Sequence, residues 1–478
     1  MSLSSERFVS VQHRGLSSIE ENISIMLFAS PQFAAAVRIV KILRDKGYEA
    51  CLAGGCVRDL LMGRQPHDYD VATSAKPDVV LASFPRTFSV GAHFGVVLVA
   101  DEENVTEVAT FRSDGAYSDG RRPDSVRYTL SAQEDVQRRD FTINGLLLNP
   151  LAAEGTLGEP EALRAAILDY VNGLTDLDAG IIRAIGEPTR RFEEDRLRLL
   201  RAVRFAARFE FVIEPTTLAA IRVMAPKISS VSHERIREEL TKMLTEGHAR
   251  RAFELLDETG LLAEVLPEIA KMKGVEQPAQ YHPEGDVWTH TLMLLEQLEA
   301  GAPLTLAWGA LLHDVGKPAT FRVAPDRIRF DGHVEVGVAI GAEICQRFRF
   351  SNDETRMILT LIENHMRFAD TEHMKPSTLK RFFRLEEFPQ HLALHKMDCM
   401  AGSKNLHHWN FVRERYDAMP EEVVRPEPLI TGHELIAAGY EPGPRFKEVL
   451  RAVEDAQLEG IIHTQDEAMA MVREWFEN

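Results

Sequence analysis

The sequence predicts an α+β protein, with a small α/β head around a mixed sheet followed by an all-α body. Two observations carry that reading. Between residues 31 and 150, helical periodicity alternates with short strand-like runs. From about residue 160 the strand signals fade, and amphipathic stretches rich in Leu, Arg, Ala and Glu continue to the end. The 478 residues exceed what one core holds and suggest roughly three or four units. A hydrophobic share of 45% and a charged share of 27% are those of ordinary globular chains. No apolar run is long enough to span a bilayer, and the first 30 residues carry no secretory pattern. The four cysteines, Cys51, Cys56, Cys345 and Cys399, lack CxxC spacing, so the expected setting is a reducing cytoplasm.

In chain order, residues 32–47 have helical periodicity and end at a glycine, and strand-like runs follow at 49–52, 69–72, 96–100 and 105–110. Between the first two runs lies Gly54-Gly55-Cys56-Val57-Arg58-Asp59, a glycine turn with exposed N–H groups and an arginine, which suits a triphosphate. About ten residues on comes His67-Asp68-Tyr69-Asp70-Val71-Ala72-Thr73. On an extended strand, residues two apart share a face, so Asp68 and Asp70 repel unless a divalent cation sits between them. A DxD alone reads more readily as a solvated turn. A phosphate cradle together with a two-carboxylate magnesium site, however, is the minimum equipment for in-line nucleotidyl transfer.

The body is expected to hold helices at 192–211, 217–225 and 233–258, with breaks at 274–283, 322–332 and 422–428. The net charge of −18 is unevenly spread: residues 181–251 hold 15 Lys and Arg against 10 Asp and Glu, which leaves −23 for the rest. Such a basic middle suits a phosphate-tracking surface, although ordinary surface arginines on helices produce the same count. The acidic total argues against a non-catalytic nucleic-acid-coating protein.

Three further segments complete a pattern: Asp114-Gly-Ala-Tyr-Ser-Asp119-Gly-Arg121-Arg122-Pro123, then Arg138-Arg139-Asp140-Phe141-Thr142-Ile143-Asn144-Gly145, then Glu194-Asp195-Arg196-Leu197-Arg198. With the GGxVRD and DxD motifs, in this order, they resemble the class II tRNA nucleotidyltransferases, the CCA-adding enzymes and their poly(A) polymerase relatives, over roughly residues 30–270. The resemblance implies a nucleotidyltransferase-type head using Mg2+, with tRNA, CTP and ATP as partners and no membrane. Asp68 and Asp70 are implied as magnesium ligands, and Gly54, Gly55 and Arg58 as the triphosphate seat. Arg139, Asp140 and Asn144 are implied to orient the ribose. Glu107 stands where the family has a further acidic residue, or is a plain strand carboxylate. Asp195 and Arg198 are implied as a protein template for the base. An aspartate accepts from the amino group that cytosine and adenine share, and each good base contact discriminates by about 1–3 kcal/mol. The plainer reading of this segment is a Glu194–Arg198 ion pair along one helix. The loop with Asp114, Asp119, Arg121 and Arg122 marks members that add the terminal A, so it argues against a CC-only enzyme.

Downstream, His290, His313-Asp314 within HDVGK, His333, His365 and Asp398 follow one another over about a hundred residues. Imidazoles and carboxylates so dispersed fit a site assembled in three dimensions. The set resembles the HD phosphohydrolase domain with the extra histidines of its two-metal versions, implying Mn2+, Ni2+ or Co2+. In the tRNA nucleotidyltransferases such a domain goes with 2′-nucleotidase, phosphatase and 2′,3′-cyclic phosphodiesterase activity; a purely structural metal is the alternative. The expected organisation is an extension (1–30), head (31–160), neck (161–270), HD domain (271–410) and helical tail (411–478). The tail is read as holding the outer part of a tRNA or as a packing or dimerisation element, and the oligomeric state is left open. The alternatives to a CCA-adding enzyme are an A-adding enzyme, a poly(A) polymerase, or an HD phosphohydrolase with a regulatory head.

Overall fold

The computed structural model describes residues 28–89, 95–101, 104–115, 125–152, 155–280 and 282–477. It divides into two compact units: residues up to Glu239 with Leu255–Val265, and Leu240–Glu254 with Leu266 onward. The α+β class holds, with one mixed sheet near the start and helices dominating thereafter.

The first unit is built on strands β1 (Ala50–Ala53), β2 (Asp70–Thr73), β3 (Thr87–Ser89), β4 (Val96–Asp101), β5 (Asn104–Thr110), β6 (Arg112–Asp114), β7 (Val126–Tyr128), β8 (Leu147–Leu148) and β9 (Ile167–Leu168). Seven of them form one sheet in the order β3-β4-β5-β2-β1-β8-β9, while β6 and β7 pair separately. The β2–β5 pair is parallel and the other pairs of the large sheet are antiparallel. All four residues of β1 are buried, as a central strand covered on both faces requires. Helix Pro31–Asp45 packs on β1 and β5 through a stripe of Ala35, Ala36, Ile39, Val40 and Leu43 at helical spacing. It starts at Ser30, whose hydroxyl accepts from Phe33 N–H, with Pro31 at the first helical position. A second cluster joins Cys51, Ala53 and Ala72 to Phe111, Ala132, Val136 and Leu147.

Two expected helices are broken. Residues 192–211 split into helices Pro188–Glu194 and Arg198–Phe209 because Asp195 turns extended (φ −144°, ψ 105°). Its carboxylate accepts from Leu197 N–H, a local bond that competes with the helical one. Residues 233–258 split into His233–Thr245 and Ala249–Glu258, with Gly247 and His248 at positive φ between them. Short strands that composition does not signal, at 167–168, 181–182 and 212–213, extend the β content past residue 160.

In the second unit, helices Val287–Leu295, Leu304–Leu312, His333–Arg347, Asn352–Asn364 and Phe388–Ala401 pack together. The expected break at 322–332 holds a two-stranded ladder, Arg322–Val323 against Ile328–Arg329. The final helices, Gly432–Ala437, Pro444–Glu459 and Gln465–Glu477, bury Leu435, Val449, Val453, Ala456, Ala468 and Val472 among themselves. Their acidity has a local partner. Glu454 accepts from Arg381 at 2.6 Å and from Arg384 at 2.5 Å, both on or beside helix Pro376–Phe383. No described helix is long and apolar enough to cross a membrane.

Gly316, after the His-Asp pair, allows the closest approach in this unit. A Cβ there would lie 2.0 Å from the His333 carbonyl oxygen and 2.6 Å from Gly337 N. Gly316→Ala is therefore expected to push helix His333–Arg347 outward and destabilise the fold by about 1–3 kcal/mol. Thermal unfolding of the metal-free variant checks this; an unchanged midpoint would show that the backbones do not meet there.

Candidate functional site

The head site starts at the glycine turn. Gly54 (φ 75°, ψ −128°) takes a conformation closed to side-chain-bearing residues and directly follows Ala53, the register partner of Asp70. Strand alternation puts Asp70 and Ala72 on one face, and the parallel register of Val71 with Val108 sets Glu107 level with Asp70 on the next strand. These residues, with Arg112, Arg138 and Arg139, line a cavity of about 230 Å³. Asp68 lies exposed just outside β2, off the regular strand on which the sequence places it. Burial first, then the charges of Glu107 and Asp68, push the Asp70 carboxyl up to about 7, against the opposing pull of Arg139. Burial and Asp68 raise Glu107 in the same way. Converging carboxylates that suppress one another's ionisation are the donor set a hard divalent cation relieves, so these residues fit magnesium.

The arginines divide differently from the sequence reading. Arg58 is only 4% exposed, and its guanidinium is committed to Asp59 (2.7 Å) and Asn144 and stacks over the Phe209 ring at 4.5 Å. These bonds brace the turn, with Nη2 3.6 Å from where a Gly55 Cβ would be. Arg139 sits over the turn as well, with Nη1 3.0 Å from where a Gly54 Cβ would be. It bonds Asp135, a buried carboxylate that also holds Arg138. Burial opposes ionisation of Asp135, but these two arginines hold its carboxyl below the usual range. Asp140 and Asn144 face inward: Asp140 accepts from Phe141 N–H (2.8 Å), Asn144 Nδ2 (3.1 Å) and Arg201 Nη2 (2.6 Å).

At the helix break, Asp195 accepts from Arg235 at 2.9 Å, while Arg198 donates to Glu194 at 3.0 Å and to the carbonyl of Arg138 at 3.0 Å. The expected Glu194–Arg198 pair is thus present, but Asp195 and Arg198 are not joined to each other on one continuous helix. Glu194 lines a second cavity, of about 480 Å³, with Arg127, Arg138, Arg190 and Arg191. Of the loop residues, Asp114 closes β6, while Asp119, Arg121 and Arg122 lie outside the described residues.

In the second unit all six expected ligands come together. Their ligand atoms form two groups, His290–His313–Asp398 and Asp314–His333–His365, each with its donors within 4.8 Å of one another. Asp314 faces both groups: Oδ2 lies 3.2 Å from His313 and 4.0 Å from His290, and Oδ1 lies 3.7 Å from His365 and 3.8 Å from His333. The Nε2 atoms of His290, His313, His333 and His365 are buried without a hydrogen-bond partner, although His290 Nε2 lies 3.0 Å from Asp398. Each Nδ1 is bonded: to Glu284 for His290, and to the carbonyls of Ala310, Phe330 and Ile362 for the others. One nitrogen tied down and the other bare and inward is how metal-binding imidazoles are held. This nitrogen and oxygen donor set fits divalent transition ions. Burial pushes His365 down to about 4 despite Asp314, whereas Asp398 and Glu284 outweigh burial and push His290 up to about 9. The group opens on a cavity of about 610 Å³ also lined by Arg327, Arg329 and His408.

Several participants escape sequence reasoning. Asp135 and Arg201 sit in helical runs as ordinary charges, and Glu284 lies in a loop before its helix. Lys317, which bonds Asp314 at 2.7 Å and Gln277 at 2.8 Å, was legible as the last residue of HDVGK.

Residues 50–183 match the family described as "Poly A polymerase head domain", residues 210–273 "Probable RNA and SrmB- binding site of polymerase A", and residues 285–400 "HD domain". The CCA-adding enzyme of Geobacillus stearothermophilus is 43% identical over 252 residues, which are 52% of this chain and 59% of that protein. That of Lactobacillus gasseri is 39% identical over 272 residues, 55% of this chain and 64% of that protein. The matched stretches therefore span less than two thirds of these relatives. Among solved structures, the Bacillus stearothermophilus CCA-adding enzyme in complex with CTP superposes with a TM-score of 0.70 at 27% identity, covering 93% of this chain and 98% of that one. In its head, RNA-binding segment, HD domain and fold the chain is similar to the CCA-adding enzymes and their poly(A) polymerase relatives.

Proposed function

We propose that this chain adds the 3′-terminal CCA to tRNA, taking CTP and ATP without a nucleic-acid template. The observation that carries the reading is the convergence of Asp68, Asp70 and Glu107 beside a glycine turn covered by Arg139, within a poly(A) polymerase-type head. Divalent cations held by these carboxylates would activate the tRNA 3′-hydroxyl and neutralise the triphosphate and leaving pyrophosphate. Arg139 and the N-terminal end of helix Gly55–Leu61 attract the phosphates. Asp140 and Asn144 keep the ribose-facing segment in place through Arg201 and Arg58. Asp195 and Arg198 read the base once they exchange Arg235 and Glu194 for the amino group and ring acceptors of cytosine or adenine.

For the second unit we read a metal-dependent phosphohydrolase, of the 2′-nucleotidase, phosphatase and 2′,3′-cyclic phosphodiesterase kind. The four buried imidazoles with Nε2 turned inward, two of which (His333 and His365) line a cavity of about 610 Å³, favour it. Cations held there would polarise a phosphoryl group and acidify an attacking water.

Labelled CTP and ATP offered with tRNA transcripts ending before CCA, after C and after CC separate the alternatives. Addition of C, C and A to the shortest transcript is the expected result. A single A added only to the CC-ended transcript would make this an A-adding enzyme, and long A tracts a poly(A) polymerase. Asp70→Asn is expected to lower incorporation at least 1,000-fold, equivalent to about 4 kcal/mol of barrier, with the circular dichroism spectrum unchanged; retained incorporation would remove the head from catalysis. Asp195→Ala is expected to relax the preference for CTP and ATP over UTP and GTP by about tenfold or more, read as a ratio of kcat/KM values. His313→Ala is expected to abolish hydrolysis of 2′,3′-cyclic nucleotides and leave CCA addition intact, and loss of both in a folded protein would refute the two-site division.

A further inference from the structure

We infer that Glu284 is a positioning residue for the histidine metal group, holding His290 by charge where its neighbours are held by backbone. The inference rests on the reading of that group as a metal site. Three of the four imidazoles follow one rule: His313, His333 and His365 each bond Nδ1 to the carbonyl three residues earlier, Ala310, Phe330 and Ile362. By that rule His290 would use the carbonyl of Val287. That oxygen already accepts the Thr291 hydroxyl at 2.8 Å. Glu284, from the loop ahead of helix Val287–Leu295, takes its place and accepts from His290 Nδ1 at 2.7 Å.

The replacement is not neutral. The Glu284 side chain is only 3% exposed and its Oε2 is buried without a hydrogen-bond partner. The other oxygen is shared between His290 and His282, whose ring stands edge-on to His290 with centroids 5.0 Å apart. A carboxylate so placed fixes a proton of His290 on Nδ1, so that a cation seated between His290, His313 and Asp398 takes the place of a proton on Nε2 and finds that nitrogen a stronger donor. A backbone carbonyl would fix the same tautomer but add no charge. His290 is therefore the ligand whose donor strength depends on an ionised side chain, while the aim of the other three rests on main-chain dipoles.

Glu284→Gln separates charge from shape, since the amide keeps an acceptor oxygen of the same reach. Co2+ titrated into the metal-free full-length protein, with excess Mg2+ to occupy the carboxylates of the head, is followed by its visible absorption. The expected result is a 10–100-fold weaker Co2+ affinity for Glu284→Gln, an altered absorption band, and an unfolding midpoint of the metal-free protein like that of the parent. His282→Ala keeps the Glu284–His290 bond and is expected to bind Co2+ with an affinity within about threefold of the parent. Parental affinity and spectrum in Glu284→Gln would overturn the inference, as would equal weakening in His282→Ala, which would assign the effect to loop packing. A parent protein that binds no Co2+ would instead overturn the metal reading itself.

Discussion

Asp140 is the buried charge around which the first unit is arranged. Burial alone would drive its carboxyl toward the neutral form, yet Arg201 and Arg198 hold it well below the usual carboxylate range. Removing one partner of such a buried pair typically costs about 3–5 kcal/mol, because the other charge is left without compensation. The chain satisfies it from three directions, by Phe141 N–H, Asn144 and Arg201, and Asn144 passes the constraint on to Arg58 and the glycine turn. Arg201 and Arg204 extend it to Glu239, with Arg204 Nε 2.7 Å from Glu239. The turn beside Asp70 and the helix following Asp195 are thereby tied into one polar lattice. This lattice fixes the separation between the glycine turn and the helix that follows Asp195.

The opposite arrangement operates at the carboxylates of β2 and β5. There the counter-charge is withheld: Arg139 faces Asp70 but is itself claimed by Asp135. What is left is Asp70, raised to about 7 by burial and by the charges of Glu107 and Asp68, an arrangement that a bound cation relieves. The histidine group in the second unit takes another course, setting four imidazoles around one buried aspartate. Two metal-competent sites thus coexist in one chain, one built from carboxylate oxygens with arginine at its rim and one mostly from imidazole.

Much of this was legible from residue order. The strand runs at 49–52, 69–72, 96–100 and 105–110 fall within a residue or two of the four strands observed there; the last two are Val-rich, whereas Glu49–Leu52 holds no β-branched residue. That these six side chains gather in the second unit was legible because an ordered set of histidines and aspartates containing HDVGK is hard to assign to chance. What escaped depends on contacts distant in sequence. Glu107 was named from the sequence, but its level with Asp70 comes from the β2–β5 register, which a single strand does not display. Arg58 stands in the glycine motif, but its packing against Phe205 and Phe209 comes from a helix about 150 residues on and is not visible in the motif. The break at Asp195 was hidden by good helix formers on both sides, where one side-chain bond to Leu197 outweighed their combined propensity.

The carbonyls of Ala310, Phe330 and Ile362 share a property that reaches beyond hydrogen bonding. Each belongs to the residue three places before the ligand it aims, so the direction of three imidazoles is written in main-chain spacing and owes nothing to which side chains occupy those positions. Substitutions at 310, 330 and 362 leave the aim intact as long as they fit, whereas inserting or deleting one residue between carbonyl and imidazole misdirects the ligand at once. Drift in composition is tolerated around this cluster, and drift in count is not.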